Sequence, residues 1–163
     1  MTAGYEFYRD NDRLDLPEPA DFPELYEGVL WRRVCAYLLD LVFIGVIAIG
    51  VWLLFAVLWL LSFGLLGPLL WLLFSLIPLA YHTLLLSGPR SATFGMRCFD
   101  LELRTLSGER PSFAQALVTT VLFYVSVAMT GSLVLLATLF NRRRRTLHDF
   151  LTGTVMVRRL PMP

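Results

Sequence analysis

The chain has 163 residues, 56% of them hydrophobic and 17% charged, with a mean hydropathy of +0.64. Those values exclude an ordinary soluble domain and point to one polytopic membrane domain, since too little polar sequence remains for a second folded unit. The net charge of +1 comes from 14 Arg and no Lys against 13 acidic residues, and the charges gather in patches around the long apolar runs, except for Asp40.

Residues 1–27 are polar, contain Pro17, Pro19 and Pro23, and read as a cytoplasmic N-terminal tail. The first apolar run begins after about 30 mostly polar residues and lacks a small-residue cleavage site, so no secretory signal is expected. Residues 28–158 form the membrane domain, and 159–163 a C-terminal tail. Its first helix is predicted at about 31–63, with Arg32 and Arg33 at its mouth, where long basic side chains snorkel to the headgroups. From Leu41 to Gly67 there is no charged residue. Gly64, Gly67 and Pro68 make a short, uncharged turn, and the second helix is predicted at about 69–86, with Pro78 kinking it.

Residues 87–112 are the main polar loop. Cys98 to Arg104 alternates apolar and polar and reads as a short strand. Arg90, Arg97, Arg104 and Arg110 put this loop in the cytoplasm together with Arg32 and Arg33, by the positive-inside rule. The third hydrophobic segment, 113–140, is either one tilted span or a hairpin broken near Met129-Thr130-Gly131-Ser132. Two features favour a hairpin that enters and leaves on the cytoplasmic side. The cluster Arg142-Arg143-Arg144-Arg145 belongs inside, and the strand-like Thr154–Arg158 needs a partner that only the first strand offers. Between them a short helix is predicted at 146–152, with Thr146 as N-cap, Asp149 in its first turn and Gly153 as its stop. The fold class is therefore all-α polytopic membrane protein: two full transmembrane helices, a third hydrophobic segment and a small cytoplasmic β element.

Gly28, Arg33, Ala36 and Asp40, then Thr93, Gly95 and Arg97, then Thr146, His148, Asp149, Gly153, Thr154 and Val157 occur in the order and spacing of a known pattern. In these residues the chain resembles the RDD family of bacterial membrane proteins, over about residues 26–158. The family pattern has an Arg at the entrance of the first helix, an Asp inside it, a T-x-G-K-R segment and a C-terminal T-x-H-D block. Two positions depart from it. Met96 stands where the family has Lys, and Thr119 or Thr120 stands near an Arg that many members carry. The resemblance implies a multi-pass inner-membrane protein that moves ions or small solutes; some members have been linked to sodium–proton exchange.

Asp40 is the sharpest single signal. A carboxylate in the apolar span costs about 3 kcal/mol on insertion scales, so something must offset it. It is read either as a protonatable, ion-coordinating group or as a structural carboxylate that locks helix packing. Arg33 lies seven residues earlier, on the same helix face and about 10 Å away along the axis. It is a candidate counter-charge, or else an interfacial anchor. His82, at a comparable depth on the second helix, is a candidate partner of Asp40; the alternative is a His facing headgroups. Asp149 is a candidate to dock on Arg33, the alternative being a cap paired with Arg142–Arg145. That basic cluster is assigned to topology and to anionic lipid headgroups.

Cys35 and Cys98 have no CxxC partner, and no cofactor, metal, nucleic-acid or enzyme motif is found. Three or four short hydrophobic elements enclose little pathway alone, so a homo-oligomer is expected. The expected function is ion or small-solute transport coupled through Asp40. The alternative is a non-catalytic membrane adaptor or scaffold.

Overall fold

The structure is a computed structural model and describes residues 23–130 and 147–159. A single 3-10 turn at Pro23–Leu25 leads into α1, Val29–Leu61. Gly28 sits at the N-cap with φ 69°, a left-handed turn that favours glycine. The helix starts two residues earlier than its sequence pattern suggested, and its 33 residues span about 50 Å. That exceeds the roughly 30 Å hydrocarbon core of a bilayer.

The second hydrophobic stretch is two helices, α2 at Gly67–Ser75 and α3 at Ile77–Leu86, joined at Leu76. Pro78 lies at the second position of α3, where its missing N–H is tolerated. The ring removes one N–H from the ladder, and the expected kink takes the form of a one-residue break at Leu76, which itself keeps a right-handed helical backbone. Val29–Leu61 and Gly67–Leu86 are both long and apolar enough to cross a membrane.

The polar loop holds one element that periodicity did not reveal. Helix α4, Phe94–Cys98, is capped by Thr93, whose Oγ1 accepts from the Met96 amide at 3.2 Å. Strand β1 then runs only from Leu101 to Thr105, so Arg97 and Cys98 are helical rather than extended. The N-cap hydroxyl decides this, because it satisfies an amide that a strand would have to pair elsewhere.

Helix α5 covers Phe113–Thr130, α6 covers Leu147–Thr152, and β2 covers Thr154–Arg158. The remainder of the predicted third segment, the Arg142–Arg145 cluster and the Thr146 cap lie outside the described residues. Strands β1 and β2 pair antiparallel, from Leu101 opposite Arg158 to Thr105 opposite Thr154. This is the partnership the lone strands required. It holds the described residues after 146 at the end where α1 and α5 begin; the break expected near 129–132 falls at the edge of the described residues.

That end forms a compact polar head. Val29, Ala36, Leu86, Ala92, Met96, Leu101, Leu103 and Ala116 make its buried cluster, and Tyr26 packs with Val155 and Val157 beside it. Each fully buried aliphatic side chain contributes about 1.5–3 kcal/mol. Beyond Ile44, α1 buries almost nothing against protein and presents Val46, Ile49, Trp52, Leu53, Leu60 and Leu61 outward. An apolar face of this extent suits lipid rather than water.

Candidate functional site

On α1 the buried residues are Val29, Arg33, Ala36, Asp40 and Ile44. Their spacing of three and four places them on one stripe. Arg33 and Asp40 therefore do share a face, as their separation predicts. They do not share a partner.

Arg33 turns toward the C-terminal block. Its Nη2 donates to Asp149 Oδ2 at 2.5 Å, and its Nε to Met156 Sδ at 3.0 Å. The Arg33 and Asp149 side chains are 7% and 2% exposed. Asp149 stands in the first turn of α6, where the helix dipole also favours an anion. Breaking such a buried pair from one side costs about 3–5 kcal/mol, because the other charge is left unpaired.

Asp40 accepts three hydrogen bonds, all from neutral groups. Tyr81 Oη donates to Oδ1 at 2.7 Å, the Gly95 amide to Oδ1 at 2.8 Å, and Thr93 Oγ1 to Oδ2 at 2.5 Å. The carboxylate thus ties α1 to α3 and to the N-terminus of α4. Gly95 is required by the same geometry. A Cβ there would collide with the Ala36 carbonyl oxygen and come within 2.8 Å of Asp40 Cγ.

The expected Asp40–His82 pair is not what the two helices make. Tyr81, the neighbour of His82, reaches the carboxylate instead. His82 Nδ1 lies 3.1 Å from the Pro78 carbonyl and 3.0 Å from Tyr124 Oη. Nδ1 donates to the Pro78 carbonyl when it carries the ring proton, and accepts from the Tyr124 hydroxyl when the proton is on Nε2. The ring is 8% exposed and stacks edge-on to Tyr81 and Tyr124.

Arg33, Asp40, His82 and Asp149, the four residues singled out in the sequence, all line one cavity of about 100 Å3. Thr93, Thr119, Thr120, Tyr37 and Phe123 line the same cavity. Arg32 serves elsewhere, holding the Phe99 carbonyl at 2.7 Å with Asp100 at 3.5 Å. Among the described residues no group of three or more His, Cys, Asp or Glu could hold a metal ion.

The model of the RDD family matches residues 28–153. The chain belongs to the RDD family. No curated protein and no solved structure matches it.

Five described residues of the RDD pattern converge at the head. Arg33, Asp40 and Asp149 meet the cavity directly, while Thr93 and Gly95 hold Asp40. Arg97 stays out of the cavity: its Nε donates to the Ala92 carbonyl at 3.0 Å, and its guanidinium lies 4.9 Å from the centre of the Phe94 ring. The two departures from the RDD pattern are not scattered. Met96, Thr119 and Thr120 all line the same cavity. Thr93, Gly95, Tyr81 and Tyr124 were missed or given no role in the sequence. Thr93 and Gly95 stood only in a motif, and Tyr124 gave no sign except a phenol inside an apolar run, which needs a polar partner.

Proposed function

We propose that this RDD-family chain is a multi-pass inner-membrane protein, head in the cytoplasm, that moves a small ion or solute through the head cavity. Asp40 is its coupling group. One observation carries this reading. The cavity is walled by two carboxylates and one guanidinium; Asp149 takes the guanidinium, and Asp40 faces the space with neutral donors only. A carboxylate with its geometry satisfied but its charge unbalanced is suited to take up and release a proton or cation. The low-dielectric surroundings make that charge matter more than it would in water.

The cavity of about 100 Å3 has room for several waters or a small ion. The Arg33–Asp149 pair closes the wall from the C-terminal side and sets the field around Asp40. The chain acts without catalysis, as a homo-oligomer, with Arg142–Arg145 on anionic lipid headgroups.

A second reading has its own support. Three hydrogen bonds from three segments make Asp40 a strong structural clamp, which would suit an adaptor or scaffold. Asp40→Asn separates the two, since an amide keeps the shape and loses the charge. In proteoliposomes with matched incorporation, transport predicts loss of monovalent-cation or proton flux with the variant still monodisperse. Flux at the wild-type level would overturn the coupling role. Loss of folding alone would support the clamp.

A further inference from the structure

We propose that the cavity binds a monovalent cation that donates hydrogen bonds, of the ammonium class, between Asp40, His82, Thr119 and Thr120. This deepens the transport reading and rests on it. Three observations on the wall converge.

The first is charge. Arg33 is bound to Asp149 at 2.5 Å, so the lining of one guanidinium and two carboxylates leaves a single negative charge, at Asp40. An anion is disfavoured there and a monovalent cation is matched.

The second is hydrogen-bonding direction. Thr119 Oγ1 donates to the Gln115 carbonyl and Thr120 Oγ1 to the Ala116 carbonyl, each at 2.8 Å. Their protons are spent inside the helix, and only lone pairs remain for the cavity. Thr93 Oγ1 likewise gives its proton to Asp40. In the tautomer with its proton on Nδ1, toward the Pro78 carbonyl, His82 leaves Nε2 as an acceptor on a buried ring, and that tautomer is part of the proposal. Asp40, Thr119 and Thr120 therefore offer acceptors to the cavity, with the Tyr37 hydroxyl able to act either way, and an occupant that brings donors is matched.

The third is the chemical softness of the wall. An alkali-metal ion is best held by a ring of oxygens. Here one acceptor is an imidazole nitrogen, and Tyr37 and Phe123 supply aromatic surface. An N–H donor suits the imidazole lone pair, and aromatic faces attract an ammonium ion. The cavity exceeds the about 10–15 Å3 needed for one water, so ammonium fits with room for a methyl group.

The test uses the purified full chain in nanodiscs. Thermal unfolding is followed against ammonium, methylammonium, sodium, potassium and tetramethylammonium chlorides at constant ionic strength. Ammonium and methylammonium should stabilise saturably, at lower concentrations than sodium or potassium. Tetramethylammonium, which has no N–H, should not. His82→Phe keeps a ring and removes the acceptor; it should raise the half-saturating ammonium concentration about tenfold. Thr120→Val should raise it several-fold, and this variant carries the test if His82→Phe is not monodisperse. Sodium saturating as readily as ammonium would overturn the proposal, as would an ammonium curve unchanged in a folded variant. If sodium saturates and Asp40→Asn abolishes sodium flux, the ammonium assignment fails while the coupling role of Asp40 stands. If no cation saturates and Asp40→Asn leaves flux intact, both fail.

Discussion

The two halves of the long helix α1 are built on different principles. Its first half carries Arg33, Ala36 and Asp40 into a head where the Arg33 and Asp40 side chains each have named partners within about 3 Å. Its second half has few protein neighbours: the most apolar window of α1 is 6% buried, against 28% for the Gly67–Leu86 stretch. There α1 faces α2 across an open groove of about 480 Å3 lined by Trp52, Phe55, Trp59, Trp71 and Phe74. The head is specified by directional bonds that tolerate few substitutions. The far half is specified by apolarity, which many sequences satisfy. The proposed function follows the same division, since among the described residues the head places charge, acceptors and space together.

Substitutions that test this contrast should rank accordingly. The largest effect is expected for Asp149→Ala, which strands the buried Arg33 and should lower unfolding stability in detergent by about 3–5 kcal/mol. The double variant Arg33→Met, Asp149→Leu should recover much of that loss; no recovery would mean that the pair does more than balance charge. Gly95→Ala comes next. Its Cβ has no room beside the Ala36 carbonyl, and about 3 kcal/mol or outright loss of the monodisperse protein is expected on size-exclusion chromatography. Tyr81→Phe removes one donor to a charged group and should cost about 2 kcal/mol in chemical unfolding. The smallest effect belongs to Trp71→Leu in the far groove, with a shift under about 1 kcal/mol, as for a side chain that exchanges one apolar neighbour for another. A Trp71 variant as damaging as Gly95→Ala would break the contrast.

Much of the head was legible before any coordinates. The seven-residue separation of Arg33 and Asp40 fixed their common face, and the need of each strand for a partner fixed the β1–β2 pair. Pro78 marked the break in the second stretch. What spacing could not decide was which neighbour turns inward. Tyr81 and His82 point about 100° apart on α3, and either could face Asp40 from its depth alone. The structure gives Asp40 to Tyr81 and the cavity wall to His82. Arg33 was likewise a candidate for Asp40 or for Asp149, and tertiary packing chose the second. Helix α4 was hidden because five residues carry too little periodicity, although Thr93 and Gly95 were visible as a motif. Tyr124 was missed because an apolar run conceals which of its few polar atoms meet.

The most direct measurement is cation-driven dissipation of a pH gradient in proteoliposomes carrying the wild-type chain or Asp40→Asn at equal density. Because Asp40 is the one cavity charge without an ionic partner among the described residues, wild type should respond saturably and Asp40→Asn should fall to the level of empty liposomes. An Asp40→Asn protein that is folded, inserted and as active as wild type would contradict the account.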